Sequence, residues 1–437
     1  MLETINNLAR EFLQHAEKKP VRIISHHDTD GITSAAILSR AFSRLDIKFS
    51  TKIIKGVDPE IIEKELQRNS REILIFTDLS LDFSLLKNLQ NPIFILDHHE
   101  IPIANTDKKI KIVNPHIFPG EEVCGAGLAY LFAKAISPQN IDLAKLALIG
   151  IIGDRHDTNL SKANQQIITD IKELTIRRGP LIFSATRPIK KSLEYSTSIY
   201  IPGVTGSQNG VFELLKEINL SGDKTLEELN EDEMSRLITA IMIRKTKQNQ
   251  KNDIIGNIYL LKFFNKKEDV REISTLVNAC SRLGYSDVAI AFCLENEKAR
   301  EKAQEIYIEY KQQLVSALRS VEELEKVKGQ GFVIMNAKEG IKDTIIGTVV
   351  SILSSSLDYE EGTVLIGMAY NQDKIKVSAR TVGKGRNLRE ILTKTVSCFN
   401  AEVGGHPNAA GCLIKKEDEI RFIEELRKNL EIEVVKI

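Results

Sequence analysis

The sequence predicts an α/β protein with a mainly parallel sheet flanked by helices, and three observations support this. Short apolar runs rich in β-branched residues recur through residues 1–160. Segments with helical periodicity separate these runs, and an aspartate follows several of them. This alternation is typical of βαβ units, in which the strands are buried on both faces.

The predicted strands are the apolar runs, and they cover residues 21–25, 49–54, 72–77, 92–96 and 110–113. Between the first two runs, Ile32, Ala35 and Phe42 have the spacing of one helix face, which predicts a helix over residues 32–45. The pair Asp58-Pro59 is a typical helix start and predicts a helix over residues 58–68.

The whole chain is predicted to contain three regions: a catalytic domain over residues 1–190, a middle region over 191–325 and a smaller α/β domain over 326–437. The middle region has helical spacing over residues 231–243 and 297–326, with a polar stretch over 245–253. We interpret residues 214–256 as a helical insertion and the helix over 297–326 as a connection between domains. Two interpretations of this insertion are equally supported: it is a docking surface for a partner, or it is a solvated pair of charged helices.

Composition narrows the class of protein. The 60 Lys and Arg residues balance 60 Asp and Glu residues, so binding of a polyanion would need a local basic surface. The apolar run over 143–152 is far shorter than the roughly 20 residues of a membrane span, and residues 1–10 have no secretory pattern. We therefore expect a cytoplasmic protein. Five scattered cysteines without a CxxC pair predict reduced, buried thiols.

Aspartates and histidines are concentrated in four short stretches, and five of the eight histidines lie in or beside them. The stretches are His26-His27-Asp28-Thr29-Asp30-Gly31, Thr77-Asp78-Leu79, Asp97-His98-His99 and Gly153-Asp154-Arg155. Ligands of an open parallel sheet bind outside the carboxyl ends of the strands, so these stretches should converge. A single aspartate after a strand is more often a turn former or helix cap, but the joint pattern favours a two-metal phosphoester hydrolase.

The chemistry of such a site predicts its ligands. If the chain is still extended at Asp28, then His26, Asp28 and Asp30 face one side before a turn at Gly31. Two divalent ions about 3.5–4 Å apart need a bridging carboxylate, and Asp78, Asp154 and one imidazole of the His98-His99 pair could complete the set. Mixed carboxylate and imidazole ligands suit Mn²⁺, with Mg²⁺ as an alternative. The second imidazole could protonate the leaving group or bind the phosphate.

The order HxDxDG, D, DHH, D resembles that of the DHH phosphoesterase superfamily, which is named for the triplet present here as Asp97-His98-His99. The resemblance implies that His98 is a metal ligand and that His99 contacts the phosphate or assists catalysis. It also implies metal ligation by Asp28, Asp30, Asp78 and Asp154, with Asp28 and Asp78 acting in catalysis. His26, a further expected ligand, stands two residues before Asp28, whereas phosphatase and oligoribonuclease branches place a histidine four residues before it.

The C-terminal region contains two segments that are similar to the DHH-associated substrate domain: Lys376-Val377-Ser378-Ala379-Arg380 and the glycine-rich residues 404–411. The resemblance implies substrate binding by Ser378, Arg380, Gly404, Gly405 and His406. A glycine pair lets backbone amides approach an anion, and Arg and His side chains add charged hydrogen bonds. The alternative is a simple tight turn beside a surface strand.

The segment Asn278-Ala279-Cys280-Ser281-Arg282-Leu283-Gly284 resembles a segment of RecJ single-strand exonucleases, as do residues 343–351. This resemblance implies substrate binding by Asn278 and Arg282. Residues 187–188, 200–206 and 271–278 are closer to archaeal RecJ-like proteins, which associate with the GINS replication complex.

The resemblance implies an exonuclease with two divalent metal ions, specific for single strands, acting in DNA replication or repair. It favours 5′-to-3′ degradation of DNA, with RNA as a further substrate. Two alternatives stay open at this point. The first is an oligoribonuclease or cyclic-dinucleotide phosphodiesterase, and the second is a scaffold subunit of the replicative helicase.

Overall fold

The computed structural model describes residues 1–55, 59–67, 71–81, 83–86, 91–100, 110–157, 160–196, 199, 201–245, 254–354, 359–399, 401 and 403–434. Its strands are β1 Val21–His26, β2 Phe49–Ile54, β3 Ile73–Thr77, β4 Ile93–Leu96, β5 Ile110–Val113, β6 Thr175–Pro180, β7 Ile255–Phe263, β8 Lys266–Asp269, β9 Lys326–Gly329, β10 Phe332–Asn336, β11 Val364–Asn371, β12 Lys374–Thr381, β13 Val403–His406 and β14 Ala409–Lys415.

The α-helices are α1 Leu2–Ala16, α2 Thr29–Arg44, α3 Pro59–Gln67, α4 Gly125–Ile136, α5 Ala144–Gly153, α6 Lys162–Thr169, α7 Ile189–Glu194, α8 Gln208–Glu217, α9 Glu231–Lys245, α10 Val270–Arg282, α11 Ser286–Cys293, α12 Glu297–Glu323, α13 Asp343–Leu353, α14 Leu388–Val396 and α15 Glu419–Val434. Short 3₁₀ helices cover Phe83–Leu86, Pro115–Ile117, Pro138–Leu143, Leu226–Glu228 and Lys416–Asp418.

The chain forms two compact units. The first comprises residues 1–178 and 256–307, and the second comprises residues 179–255 and 308–437. One boundary between them therefore falls inside helix α12. The division into three regions at residues 190 and 325 stays a prediction.

The sheet of the first unit has the order β2-β1-β3-β4-β5, and each pair of neighbours is parallel. The predicted mixed α/β architecture with a parallel sheet is thus confirmed, and the predicted strand positions agree to within a residue or so. The expectation of burial on both faces is wrong for β2, most of whose residues are at least partly exposed. Strand β2 lies at the edge of the sheet, so only one neighbour shields it.

Helices α2, α4 and α5 form the layer of helices that positions residues of the candidate site. Helix α5 is apolar apart from Lys145, and seven of its ten residues are buried. Helix α2 is buried from Thr29 to Leu38, because α4, α5 and α10 all pack against it. Helix α3 confirms the predicted helix over 58–68, although Asp58 and Arg68 themselves lie outside the described residues.

The second unit contains a mixed sheet in the order β13-β14-β12-β11-β10-β9, in which β10 and β11 are parallel and the other pairs antiparallel. One face is covered by apolar residues from α14 and α15, including Leu392 and Phe422. Helix α13 packs against β11 and β12, where a side chain at Gly367 would come within 2.4 Å of Val350. This sheet and its helices confirm the predicted α/β architecture of the C-terminal part of the chain, whereas the bounds 326–437 stay a prediction.

The middle region contains helix α9, which matches the predicted helix over 231–243. Most of the predicted polar stretch over 245–253, and Tyr200, lie outside the described residues. A separate small sheet has the order β6-β7-β8. Helix α12 covers most of the predicted helix over 297–326.

None of the described helices combines the length and the apolar character that a membrane span requires. All five cysteines are free thiols, as expected. The expectation that all of them are buried is wrong for Cys398, which is exposed in the turn after α14.

Candidate metal centre

The site residues of the first unit lie where strands or helices end. His26 is the last residue of β1, and Asp78 and Asp97 directly follow β3 and β4. Asp154 directly follows helix α5. Because β1, β3 and β4 are parallel neighbours, their carboxyl ends meet at one edge of the sheet, as the sequence predicts.

The loop after β1 differs from the expectation in one respect. Asp28 is extended and caps helix α2, because its Oδ1 accepts a hydrogen bond from the Gly31 amide at 3.0 Å. Gly31 is part of the first turn of α2, so the predicted turn at Gly31 is wrong. A side chain at Gly31 would lie 2.3 Å from the carbonyl oxygen of His26, which explains the glycine. Asp30 therefore projects from a helix and not from an extended segment.

His26 connects two of the predicted ligands. Its Nδ1 lies 2.9 Å from Oδ2 of Asp28 and 3.6 Å from Oδ2 of Asp78. These three side chains place ligand atoms close enough together to hold one metal ion. The Nε2 of His26 lies 3.0 Å from Nδ1 of His27, so one of the two nitrogens donates to the other.

His98 lies between Asp78 and Asp154. Its Nε2 is 3.2 Å from Oδ1 of Asp78, and its Nδ1 is 3.7 Å from Oδ2 of Asp154. His98 contributes to two possible ligand groups, one with Asp78 and His99 and one with Asp154 and His156. One imidazole can bind a metal ion through one nitrogen while the other nitrogen bonds a carboxylate.

His99 is oriented from two sides. Its Nδ1 lies 2.8 Å from Oδ1 of Asp97, a carboxylate that is almost completely buried. Its backbone oxygen accepts a hydrogen bond from the Asn114 side chain at 2.8 Å. A carboxylate at Nδ1 fixes the tautomer of an imidazole and directs Nε2 outward.

Asp30 is buried against the amino end of helix α4. Its two oxygens accept hydrogen bonds from the amides of Gly125 and Ala126, at 2.7 and 2.8 Å. A helix N-terminus stabilises a carboxylate through its unpaired amides and its dipole. Asp30 also lies 3.8 Å from Nε2 of His98, which places it beside the cluster although it belongs to none of the ligand groups found among the described residues.

Glycines make this close approach possible. A side chain at Gly125 would lie 2.8 Å from Cβ of Asp78 and 2.9 Å from Oδ2 of Asp30. A side chain at Gly150 of helix α5 would lie 2.8 Å from Oδ1 of Asp30. Helices α4 and α5 can therefore enclose Asp30 only because these positions lack a side chain.

The carboxylates of the site repel one another in a buried setting. Burial and the charges of Asp78 and Asp154 raise the pKa of Asp30 to about 8. Burial and the charge of Asp28 likewise raise the pKa of Asp78 well above its usual value. The pKa of Asp28 is instead well below its usual value, because the adjacent His26 outweighs the effect of burial.

For the histidines of the site, burial and the nearby carboxylates shift the pKa in opposite directions. Burial alone would lower the pKa of His26, but Asp28 and Asp78 outweigh it and hold that pKa well above the usual value. Burial also opposes protonation of His98 and His99, yet nearby carboxylates raise both pKa values, chiefly Asp154 for His98 and Asp97 for His99.

The donor set fits divalent metal ions. Oδ2 of Asp78 is buried and has no hydrogen-bond partner among the residues that the structure describes. Such an atom is costly unless a cation or a donor binds it. With carboxylate and imidazole ligands and no thiolate, the set suits Mn²⁺ or Mg²⁺.

The predicted substrate residues lie apart from this cluster in the sequence. Asn278 and Arg282 are one turn apart on helix α10, and Nε of Arg282 donates to Oδ1 of Asn278 at 3.1 Å. This pair orients both side chains on one face of the helix. Their binding of a substrate stays a prediction.

The substrate residues of the second unit come together on one sheet face. The register places Ser378 opposite Gly411 and Gly411 opposite Gly404, and it places Arg380 opposite Ala409 and Ala409 opposite His406. Residues directly opposite share a face, as do residues two apart on a strand. Nε of Arg380 donates to Oγ of Ser351 on helix α13, at 2.9 Å, which holds the guanidinium at this face. Gly405, the intervening residue of β13, has φ +114, a conformation that favours glycine.

Sequence reasoning did not assign roles to Gly125, His27 or His156. His156 was visible beside the fourth stretch, and the GAG triplet at residues 125–127 was a visible signal of a close approach. Nothing in the sequence indicates that Gly125 contacts Asp30, which is 95 positions away.

Family models match three parts of the chain. The model of the DHH family N-terminal domain matches residues 20–151, the DHH-CID domain model matches residues 182–258, and the DHHA1 domain model matches residues 329–431. The first match contains three of the four predicted stretches, and the last contains the substrate residues of the second unit.

Two curated proteins are similar over most of the chain. An uncharacterized protein of Methanocaldococcus jannaschii, MJ0831, is 29% identical over 420 residues, which cover 92% of this chain and 91% of that protein. The single-stranded-DNA-specific exonuclease RecJ of Bacillus subtilis is 24% identical over 439 residues, covering 95% of this chain and 45% of RecJ. The chain thus spans about half the length of that exonuclease.

Solved structures show the same fold. RecJ from Thermus thermophilus in complex with Mn²⁺ has a TM-score of 0.60 at 18% identity, over 97% of this chain and 54% of that one. CDC45 from Entamoeba histolytica has a TM-score of 0.69 at 11% identity, over 98% of this chain and 99% of that one.

Proposed function

Because this chain belongs to the DHH superfamily as a RecJ-like member with DHH, DHH-CID and DHHA1 domains, we propose that it is a divalent-metal-dependent exonuclease specific for single-stranded nucleic acid. The homology to RecJ supports a phosphoester hydrolase. The proposal goes further, to 5′-to-3′ degradation of DNA, with RNA as a further substrate, in replication or repair.

The observation that carries the proposal is the convergence of His26, Asp28, Asp78, His98 and Asp154 at one sheet edge. We assign these side chains, with Asp30, as ligands of two divalent ions. Such ions supply Lewis acidity and make water a nucleophile near neutral pH. Asp78 is suited to bridge the ions, since its Oδ1 faces His98 and its Oδ2 faces His26.

His99 is assigned to proton transfer or phosphate binding. The carboxylate of Asp97 holds its Nδ1, so we assign Nε2 as the nitrogen that acts on a phosphate or leaving oxygen. The pKa of His99 is raised, which favours a protonated imidazole that can donate to a developing alkoxide. Asp97 acts through His99 and is a positioning residue.

The sheet face with Ser378, Arg380 and His406 is assigned to the phosphates of the substrate. Hydrogen bonds to Ser351 and to the carbonyl of Ala379 orient the guanidinium of Arg380, and Gly404 leaves the backbone accessible to an anion. Asn278 and Arg282 are assigned to the substrate as well, on the resemblance to RecJ. These contacts would recognise the backbone of a strand and not its base sequence.

The proposal is tested by product release from 5′- and 3′-labelled single-stranded DNA and RNA, with duplex controls, in Mn²⁺, Mg²⁺ and EDTA. We expect metal-dependent release of mononucleotides from long single strands, which would also give polarity and sugar preference. Hydrolysis confined to dinucleotides would instead indicate an oligoribonuclease or cyclic-dinucleotide phosphodiesterase.

A scaffold role in a replication complex is the second candidate, and the fold match to CDC45 over almost the whole of both chains is the observation in its favour. The retained carboxylates and histidines favour the enzyme instead. Absence of hydrolysis on every labelled substrate in Mn²⁺ and Mg²⁺, from protein with a cooperative unfolding transition, would support the scaffold.

We also propose that the insertion over residues 214–256 contacts a partner, with the GINS complex as the candidate. Met242 and Ile243 on helix α9 are adjacent apolar side chains with exposed fractions of 46% and 62%, and a partner could cover them. Ile243→Ser should weaken co-purification with GINS, whereas Asp232→Asn on the same helix should not. Undiminished co-purification of Ile243→Ser would place the contact elsewhere.

A further inference from the structure

We propose that His156 is a further metal ligand, which joins His98 and Asp154 in holding one of the two divalent ions and which the ligand set assigned above does not contain. The inference rests on the proposed metal centre and enlarges it by one residue. Three observations carry it: the backbone turn at the end of α5, the placement of the ligand atoms, and a ring whose polar contact among the described residues is with Asp154.

The backbone after helix α5 turns back on itself. The amide of His156 donates to the carbonyl of Ile151 at 2.9 Å, and the amide of Arg155 donates to that of Ile152 at 3.2 Å. Arg155 has a φ of 58°, which is the left-handed conformation that such helix ends require. A non-glycine residue seldom adopts it, so the surrounding structure specifies this turn strongly.

The turn brings His156 against the cluster. Its Nε2 lies 3.1 Å from Oδ2 of Asp154, and its ring centroid is 5.7 Å from that of His98. Ligand atoms of His98, Asp154 and His156 all lie within 4.8 Å of one another. Ligands about 2.1 Å from one ion are roughly 3–4 Å apart, so a small adjustment would bring these atoms around a single cation.

The rings of the two histidines do not stack on each other. Their planes are 80° apart, so they meet edge to face and can direct nitrogens toward the same carboxylate. Asp154 Oδ2 is the atom that both imidazoles approach, at 3.7 Å for His98 and 3.1 Å for His156. Two imidazoles and one carboxylate are a ligand set that divalent transition metals favour.

The polar contacts of the His156 ring also favour a role in the cluster. Its Nδ1 is buried and has no hydrogen-bond partner among the described residues. No hydrogen bond at Nδ1 therefore holds the ring in a purely structural role, and its polar contact among the described residues is the one that Nε2 makes with Asp154. We assign Nε2 as the coordinating atom, because it is the nitrogen beside Asp154.

The experiment measures Mn²⁺ binding by the full chain. Calorimetric titration and pulsed EPR of the bound Mn²⁺ are compared for the parent, His156→Ala, His156→Gln and the control His116→Ala, which removes an exposed imidazole after β5. We expect at least tenfold weaker binding of one ion, and loss of one histidine ¹⁴N coupling, in both His156 variants. The control should match the parent.

Two results would overturn the inference. The first is a Mn²⁺ affinity within twofold of the parent together with unchanged ¹⁴N couplings. The second is weaker Mn²⁺ binding with unchanged couplings, which would indicate that His156 only positions Asp154. Both results would leave the proposed function intact. Absence of Mn²⁺ binding by the parent would overturn the proposed function together with this inference. Only variants with a cooperative unfolding transition like that of the parent are interpreted. If His156→Ala fails to fold, His156→Gln, which is closer in size to histidine, is used in its place.

Discussion

Nε2 of His98 lies 3.2 Å from Oδ1 of Asp78, and both side chains are almost completely buried, with exposed fractions of 7% and 2%. The opposite nitrogen of the same ring faces Asp154 at 3.7 Å. Since an imidazole carries at most two protons, this one ring can at most neutralise part of the charge of the two carboxylates. The remaining negative charge is what divalent ions would compensate.

The first prediction concerns Asp78. In metal-free protein, Asp78→Asn should raise the free energy of unfolding at pH 7 on the order of 1 kcal/mol, because one unit of pKa elevation corresponds to about 1.4 kcal/mol. Burial and Asp28 raise the pKa of Asp78 in the fold, so the free energy of unfolding falls as pH rises from the ordinary carboxyl pKa toward this raised pKa, and the full penalty is present above it. Hydrolysis in Mn²⁺ should fall at least about 100-fold, since the bridging carboxylate is lost.

Denaturant unfolding in EDTA and initial rates in Mn²⁺ measure these two effects. Asp232→Asn, on the exposed side of helix α9, is the control and should change neither. Full Mn²⁺-dependent activity of Asp78→Asn would reject the assignment of Asp78 as a ligand.

The second prediction concerns Gly125. A methyl group in Gly125→Ala would lie within 3 Å of both Asp78 and Asp30, so helix α4 must shift away from the cluster. We expect a loss of about 1–3 kcal/mol in the free energy of unfolding, as for other overpacked cores. Mn²⁺ affinity should fall as well, because the shift moves the amides that hold Asp30.

Gly404→Ala is the stability control, since a side chain there meets no atom within 4 Å. Its free energy of unfolding should equal that of the parent. A Gly125→Ala variant as stable as this control, with unchanged Mn²⁺ affinity, would show that α4 does not fix the site.

Much of the first unit could be predicted because its signals are local. An apolar run such as residues 73–77 predicts a buried strand, and an aspartate at its end predicts a site at the sheet edge. The exposure of β2 could not be predicted in this way, since it depends on strand order, and strand order is set by long-range packing.

The same distinction applies to the site. Asp78 and His98 could be identified, since each has an informative neighbour in sequence. The contact between Asp30 and the amino end of α4 joins residues 95 positions apart, and no local pattern encodes it. His156 was present beside a recognised stretch, but its direction depends on the left-handed conformation of Arg155, which the residue type does not indicate.

The third prediction concerns pH and the stability of the first unit. Oδ2 of Asp170 accepts hydrogen bonds from Tyr130 and from Lys134, both at 2.6 Å. Burial would raise the pKa of Asp170, but these contacts outweigh it and lower that pKa below its usual value. The stabilisation is therefore fully present above the pKa of the unfolded chain and is lost as pH falls through the lower, folded-state pKa.

Asp170→Asn should thus cost about 1.5–3 kcal/mol at pH 7, as for hydrogen bonds to a charged group, and progressively less below about pH 4. Unfolding curves at several pH values measure this difference. Asp373→Asn, at an exposed position, should follow the parent at every pH. A cost for Asp170→Asn that stayed constant down to about pH 2 would contradict the assignment of a charged hydrogen bond.

The fourth prediction concerns Arg380 and the separation of substrate binding from metal binding. Arg380→Ala should raise KM for single-stranded DNA about tenfold or more, because a charged hydrogen bond to phosphate is worth about 1.5–3 kcal/mol. Mn²⁺ affinity should stay at the parent value, since Arg380 donates to Ser351 and to the carbonyl of Ala379, which both lie in the second unit. Arg380→Lys should restore only part of the binding, as an ammonium cannot reproduce the fork of a guanidinium.

Steady-state kinetics and Mn²⁺ titration on the same preparations check this prediction. Lys374→Ala is the control, because Lys374 is an exposed cation on the same strand, about 20 Å away at 3.3 Å per residue. If Arg380→Ala and Lys374→Ala had the same KM as the parent, the sheet face of Ser378, Arg380 and His406 would not bind the substrate. If Arg380→Ala instead lost Mn²⁺ affinity, Arg380 would influence the metal centre and would not be a substrate residue alone.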